Sequence, residues 1–292
     1  MLLFPHAKIN IGLDITGRAP NGYHLLETVM VPTDWEDLLE LTPAPDGQTR
    51  LTCTGRAVDC PPQLNLVMKA YEALAATVGG LPPTHIRLHK NIPDGAGLGG
   101  GSADAAFAIR GLNELYNLGL TKEIMAGVAA KVGADCPFFI YDRPMLCTGI
   151  GTDMTPIDLP HELNAMTLAI VKPQAGVSTA EAYRGVKIAE PEIPLVRRVA
   201  QSVENWQGSV VNAFEATVIP LRPRIGEVKE QLALDGAIYV SMSGSGSAVY
   251  GIFPRVERMV LEDLLKNQCP DCDVHVCAPE IMNALAVSGV KK

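Results

Sequence analysis

The chain has 292 residues, of which 47% are hydrophobic and 19% charged, and a formal net charge of −8. That balance supports a buried core and excludes an intrinsically disordered chain, while the acidic excess argues against broad binding to nucleic acid or an anionic membrane surface. The length fits two domains or one large one, and a local cationic pocket for a small anion stays open.

The first elements are strands. Ile9, Ile11, Leu13 and Ile15 alternate with Lys8, Asn10, Gly12 and Asp14, which predicts a strand over 7–15. Further strands are predicted over 25–31, 38–42, 51–54 and 85–90, a helix over 65–77, and a helix after the glycine run at 95–101. Thr121, with Glu123 in the first turn, caps a helix running to about Val132. A composition change near 156–164 marks a boundary, giving expected domains of 1–158 and 159–292. Beyond it come a strand over 167–171 and a capping-box pattern at Ser178-Thr-Ala-Glu181. Helices are then predicted over 194–206, 211–219, 224–234 and 258–267, and strands over 237–242, 248–253 and 274–277. Helices mixed with antiparallel-style strands indicate an α+β fold rather than a doubly wound parallel sheet.

Met1 to Lys8 carries only three large apolar residues in a row before Pro5, too few for a secretory signal, and no run approaches a membrane span. The cytoplasm is the expected compartment. Seven scattered cysteines read as free thiols in a reducing environment, and Cys269-Pro-Asp-Cys272 as a turn with incidental thiols.

Five glycines within 95–101 give the strongest chemical signal. Consecutive glycines let backbone N–H groups surround one anion, and the following helix adds its positive end. Gly95-x-Gly97-x-x-Gly100 also spells a dinucleotide fingerprint, but the preceding strand is half-polar. No lysine stands where a Walker A loop needs one, because Gly101 runs directly into Ser102. A phosphate cradle is favoured, and neither common type fits. Taken alone, Lys8 reads as a solvated surface lysine, Asp135 as a helix N-cap ahead of Pro137 or, more sharply, an acceptor for a hydroxyl proton beside a lysine, and Ser243–Ser247 equally as a hairpin loop or an anion or backbone-contact site. Tyr23-His24 after Asn21-Gly22 reads as a turn leading into a strand, with an aromatic able to stack on a base.

Three segments resemble the motifs of the GHMP kinases (galacto-, homoserine, mevalonate and phosphomevalonate kinases). They are Pro5-x-Ala-Lys-Ile-Asn-Ile-Gly-Leu13, Ile92-Pro-x-Gly-Ala-Gly-Leu-Gly-Gly-Gly-Ser-Ala-Asp-Ala105 and Ser241-Met-Ser-Gly-Ser-Gly-Ser-Ala248. Asn21-Gly-Tyr-His24, Gly133-Ala-Asp-Cys-Pro-Phe138 and Gly176-Val-Ser-Thr179 further resemble the member that phosphorylates a cytidine-bearing alcohol in the non-mevalonate isoprenoid pathway. The likeness runs from about residue 4 to beyond 250.

The resemblance implies an N-terminal domain of ribosomal-protein-S5 type, a ferredoxin-like C-terminal domain and a site in the cleft between them. It implies ATP as donor, with Mg²⁺, held by Pro93, Gly95, Gly97, Leu98, Gly99, Gly100, Gly101 and Ser102, and Asn65 near the adenine. Asp135 becomes the base for the acceptor hydroxyl and Lys8 its partner. Tyr23 and Tyr183 would sandwich the cytosine, Asn10 and His24 would bond to the acceptor, and Thr179, Gly244 and Ser245 would line its site. Tyr183 stands where some members carry phenylalanine, and Cys136 where valine is common. The implied partner is a small molecule, with no nucleic acid or membrane, for a monomer or weak homodimer. The alternatives are a homoserine- or mevalonate-type kinase, a catalytically silent nucleotide-binding protein on the same fold and, more distantly, a dinucleotide oxidoreductase.

Overall fold

A computed structural model describes residues 1–58 and 60–277. The described elements open with β1 (Leu2–Leu3), β2 (His6–Arg18), β3 (His24–Glu36), β4 (Leu38–Pro43), β5 (Arg50–Gly55), α1 (Leu66–Val78), β6 (Thr84–Lys90) and α2 (Gly100–Leu115). Then follow α3 (Lys122–Ala130), α4 (Cys136–Tyr141), β7 (Met145–Thr148), β8 (Asp153–Pro156), β9 (Thr167–Pro173), α5 (Thr179–Gly185) and α6 (Leu195–Val199). The series ends with α7 (Glu215–Leu221), α8 (Pro223–Leu234), β10 (Tyr239–Met242), β11 (Val249–Phe253), α9 (Arg258–Gln268) and β12 (Cys272–Cys277). The fold is α+β, and none of the described helices is long and apolar enough to cross a membrane.

The chain divides into two compact units, each drawn from separated stretches. The first gathers Met1–Ala7, Trp35–Asp94 and Gly99–Asp142; the second gathers Lys8–Asp34, Gly95–Leu98 and the chain from Arg143 on.

In the first unit the sheet order is β1-β4-β6-β5, antiparallel except for the parallel β5–β6 pair. Strand β6 buries Thr84, Ile86, Leu88 and Lys90 on one face and turns Arg87 and His89 outward, so its last core-facing position is a lysine. Helices α1 and α2 pack together, and α2 lies on β4. Gly111 makes that approach possible: a methyl there would lie 2.3 Å from Leu3 Cδ1 and 2.6 Å from Leu41 Cδ1. Asn65 is not the first residue of α1 but its cap, its Oδ1 accepting from Val67 N at 2.9 Å, an arrangement worth about 1 kcal/mol.

In the second unit, β2-β3-β7-β8 form one sheet and β10-β11-β9-β12 another that is antiparallel throughout. Leu13, Val171, Phe214, Val218, Val228, Val249 and Leu265 share a core against α7, α8 and α9. Two expected helices are shorter than their periodicity suggests. The 194–206 segment is α6 followed by a separate 3₁₀ turn, because Glu162 takes hydrogen bonds from Ser202 Oγ (2.9 Å) and Val203 N (2.6 Å). Residues 211–213 are bridged to β2 at Asn212, since Leu13 N donates to Val211 O and Ala213 N to Leu13 O; α7 therefore starts at Glu215. In both, long-range bonds override local propensity.

The polar side of β2 departs furthest from expectation. Lys8 is 3% and Asn10 2% exposed, so Lys8 is not a surface lysine. Both faces of the strand are covered: Tyr250 Oη donates to Asn10 O at 2.9 Å, and Arg198 ion-pairs with Asp14.

Candidate active site

Within the second unit, three stretches far apart in sequence meet at Gly97. Its carbonyl accepts from Lys8 Nζ at 2.9 Å and from Ser243 Oγ at 2.8 Å. Lys8 Nζ also donates to Asn10 Oδ1 at 2.6 Å, and Asn10 N to Ser243 Oγ at 3.2 Å. Backbone bonds lock the same contact, from Lys8 N to Leu98 O and from Ala248 N to Ala96 O. Gly97 has φ +73°, and a Cβ there would sit 2.0 Å from Ser243 O, so only glycine fits. Gly244 belongs to the same knot, its own Cβ position lying 3.2 Å from Asn10 Oδ1. Gly95, Gly97 and Gly99 all have positive φ and alternate with residues of ordinary hand, a backbone pattern that makes anion-binding nests.

The sequence gives no hint of what holds the 243–247 turn. Buried Asn212 donates from Nδ2 to Met242 O (2.7 Å) and Gly244 O (2.8 Å). Glu215 accepts from Met242 N at 2.8 Å and from Ser241 Oγ at 3.2 Å. Neither residue lies in a recognisable motif; the bridge from Leu13 to Asn212 brings the first of them in.

Asn21, Gly22, Tyr23, His24, Ile150 and Tyr183 line a pocket of about 490 Å³ in this unit. Tyr183 stacks on a ring of the pocket itself. Its ring lies over His24 with centroids 4.8 Å apart and planes at 27°, edge-on to Phe214, while Tyr23 is 64% exposed. His24 Nε2 is buried without a hydrogen-bond partner among the described residues, and burial, with Arg18 adding, holds the ring below the usual histidine range. Ser178 and Glu181 close a capping box on α5, placing Thr179 and Tyr183 one turn apart; Thr179 Oγ1 lies 3.3 Å from Ser245 Oγ.

In the first unit, Gly99 leads into α2, whose opening residues are Gly100, Gly101 and Ser102. A second pocket, of about 150 Å³, is lined by Asn65, Leu66, Lys90, Ile92, Gly101 and Asp104. Pro93 is buried beside Ile92. Asp135 stands at the N-cap position of α4 but its side chain makes no cap bond, so the capping role is not realised. Next to it Cys136 is fully buried. Burial pushes its thiol up to about 11, a hydrogen bond with Ser102 pulling the other way. A Cβ on Gly133 would lie 3.9 Å from Ser102 Oγ, so the Gly133–Cys136 turn sits against the start of α2.

Among the described residues a single cluster could offer three side-chain metal ligands: Asp34, His275 and Cys277, with donor atoms within 4.8 Å of one another. His275 Nε2 is 2.7 Å from Asp34 Oδ1, and Arg258 approaches Asp34 Oδ2 at 3.4 Å. Thiol and imidazole donors do not suit Mg²⁺, which selects oxygen, so this cluster is not its site. The cysteines, Cys269 and Cys272 included, are free thiols, and Cys272 N bonds to Cys269 O in a turn.

Comparisons with known proteins show the family. The profile of the GHMP kinases N terminal domain matches residues 65–143, and that of the GHMP kinases C terminal domain matches 195–270. The chain is 44% identical over 271 residues to the 4-diphosphocytidyl-2-C-methyl-D-erythritol kinase of Bacteroides fragilis, covering 92% of this chain and 98% of that one. A crystal structure of 4-(cytidine 5'-diphospho)-2C-methyl-D-erythritol kinase superposes with a TM-score of 0.78 at 29% identity, covering 95% and 98% of the two chains. A homoserine kinase from Cytophaga hutchinsonii shares the fold, with a TM-score of 0.68 at 19% identity and coverage of 93% and 94%. With the family's profiles spread over both parts of the sequence and a relative this similar along nearly its whole length, the chain belongs to the 4-diphosphocytidyl-2-C-methyl-D-erythritol kinases of the GHMP kinase family.

Proposed function

We propose that this enzyme transfers the terminal phosphoryl group of ATP to the 2-hydroxyl of 4-diphosphocytidyl-2-C-methyl-D-erythritol, giving the 2-phosphate and ADP, in the non-mevalonate route to isoprenoid precursors. The observation that carries this reading is the knot at Gly97, where Lys8, Asn10 and Ser243 converge on the glycine run. Such a fixed backbone is what phosphoryl transfer requires, since its loose transition state asks for alignment and charge balance more than for covalent help.

In the reaction, the acceptor oxygen bonds to the γ-phosphorus as the bond to the bridging oxygen of ADP breaks. Asp135 takes the hydroxyl proton, and Lys8 contributes positive charge to the site. The glycine run 95–101 with Pro93, Leu98 and Ser102 holds the phosphates, and Asn65 lies near the adenine. Tyr23 and Tyr183 stack on the cytosine, with His24 and Asn10 as polar contacts and Thr179, Gly244 and Ser245 along the acceptor. Bound Mg²⁺ would supply further charge neutralisation at the phosphates held by the glycine run and Ser102. We further place the ATP-binding domain at 1–158 and the C-terminal domain at 159–292, the enzyme in the cytoplasm, and its state as a monomer or weak homodimer acting on a small molecule without nucleic acid.

The test is an ADP-release assay offering the cytidyl compound, its uridyl analogue and homoserine. Turnover should be greatest with the cytidyl compound and fall with the uridyl analogue. Preference for homoserine, or no turnover with any of them, would overturn the assignment.

A further inference from the structure

Lys90 closes β6 on the buried face of the strand, and two carboxyl groups enclose it. Its Nζ lies 2.7 Å from Asp104 Oδ2 and ion-pairs with Asp37. Asp37 is fully buried, Asp104 2% exposed and Lys90 7% exposed. Asp37 is committed to the backbone as well, its Oδ1 accepting from Asn91 N (2.5 Å) and Ile92 N (2.8 Å) at the start of the glycine segment. Asp104 Oδ1 is buried and has no partner among the described residues. The Lys90 ammonium comes within 3.3 Å of the place a Cβ would occupy on Gly100, the first residue of α2.

One ammonium therefore faces two carboxyl groups. With both ionised, the triad would carry a net negative charge out of water beside a pocket read as a phosphate donor's. Burial disfavours the anion of such a group relative to its protonated form, and at Asp104 only one of the two oxygens has a cation to offset this. The surrounding groups do not restore the balance. Cys53 on β5 and Cys60 are thiols, Asp94 is a further acid, and Arg56 is exposed with its Nε bonded to Asn91 O at 2.7 Å.

We propose that Asp104 holds a proton beside the Lys90–Asp37 ion pair, leaving the triad neutral, and that Asp104 thereby acts as a positioning residue, keeping Lys90 and the first turn of α2 receptive to the phosphates of the nucleotide. The proposal rests on the reading of that turn as the phosphate-binding end. Burial, opposed by Lys90 and reinforced by Asp37, pushes Asp104 up to about 8; burial works against the Lys90 charge, but the two carboxyls hold it above the usual lysine range. Loss of the Asp104 proton as pH rises puts a negative charge next to the phosphates, so nucleotide affinity falls while the fold persists.

The experiment is calorimetric binding of ATP and of ADP to the full chain between about pH 7 and about pH 9.5, for the wild type and Asp104→Asn. Asparagine matches the shape of the neutral carboxyl and has no such proton to lose. The wild type should weaken about tenfold across that range, and Asp104→Asn should change by less than about twofold. A flat wild-type profile with ATP bound, or the same slope in Asp104→Asn, overturns the protonated-Asp104 device and leaves the kinase assignment standing. Absence of ATP binding at every pH overturns both. A role in folding alone would shift stability without this slope. A second readout needs no variant: the wild type should show the infrared C=O stretch of a protonated carboxyl at neutral pH, lost as pH rises through about 8, and its absence at neutral pH refutes the proposal.

Discussion

The pocket beside Asn65 and Lys90 and the pocket around Tyr23 and Tyr183 are built from different materials. The first is small, about 150 Å³, and its polar groups are fixed: Asn65 is spent on a helix cap, and Lys90 is held by two buried carboxyls. The second is larger and more open, about 490 Å³, and presents ring faces, with Tyr23 64% exposed. A triphosphate makes the same demand in every kinase, and rigid backbone with buried charge meets it. An acceptor that differs from one kinase to the next is read better by side chains that can shift, which aromatic surface allows. With the first pocket read as the donor's and the second as the acceptor's, as proposed above, loss of a donor-side or catalytic group should therefore stop the reaction, and loss of an acceptor-side ring should weaken recognition.

The largest expected effect divides chemistry from binding. Asp135→Asn and Lys8→Ala should each lower turnover by about 10²- to 10⁴-fold in the ADP-release assay, with ATP affinity largely kept. Lys8 is 3% exposed and bonded to Gly97 O and Asn10, so circular dichroism must show that the Lys8 variant is folded. Near-normal turnover in either variant removes that residue from its role, and a parallel loss of ATP affinity erases the division.

Next comes a pair of glycines two residues apart in the same loop but differently surrounded. A Cβ at Gly97 would collide with Ser243 O at 2.0 Å, whereas at Gly95 nothing lies within 4 Å. Both have positive φ. Gly95→Ala should destabilise the protein by about 1 kcal/mol, the penalty of the left-handed region alone, and Gly97→Ala by about 3 kcal/mol or more, with collapse of turnover. Equal denaturation midpoints for the two variants would mean that the Gly97 knot is not what fixes the loop.

How much of this was legible depends on whether a residue's role is set locally. Thr121 and Ser178 announce their helices because a cap lies within three residues of its target, and both side chains accept from the expected first turn. The glycine run and the alternation of Ile86 and Leu88 are equally local; following that alternation one step further places Lys90 on the core side. Asn212 could not be found this way, because its partners Met242 and Gly244 lie some thirty residues on and pair with it only through the fold. Burial of Lys8 and Asn10 was hidden for the same reason: alternation reports that one face of β2 is apolar, not that Ser243 and Tyr250 will cover the other. Expected helices over 194–206 and 211–219 failed where Glu162 and Leu13 claimed their backbone groups.

On the acceptor side, Tyr183→Ala should raise the KM for the cytidyl substrate about tenfold or more, within the range that loss of one base–aromatic stack produces, and leave the KM for ATP unchanged. Tyr183→Phe should restore it, since the ring face rather than the hydroxyl does the stacking. The His24–Tyr183 pair sharpens this expectation, because with the two rings 4.8 Å apart the cytosine must displace one of them or lie on an outer face. Histidine replacement, His24→Ala, separates the cases: if His24 only covers Tyr183, its loss leaves KM unchanged or lowers it, and if it bonds to the base, KM rises.

The smallest effect belongs to Cys136, immediately after the proposed base. Full burial at the start of α4 pushes its thiol up to about 11, so it is neutral at physiological pH and offers no nucleophile or base. Its thiol makes a weak hydrogen bond with Ser102. Cys136→Val keeps the apolar volume and gives up only that bond, so turnover should change by less than about twofold and stability by less than about 1 kcal/mol. A tenfold loss of turnover with both KM values intact would instead show that the thiol orients Ser102 during the chemical step. The turn from Gly133 to Cys136 would then belong with the phosphate-holding groups as well as with the base, and the contrast between a rigid donor pocket and an adaptable acceptor pocket would have to admit a segment that serves both.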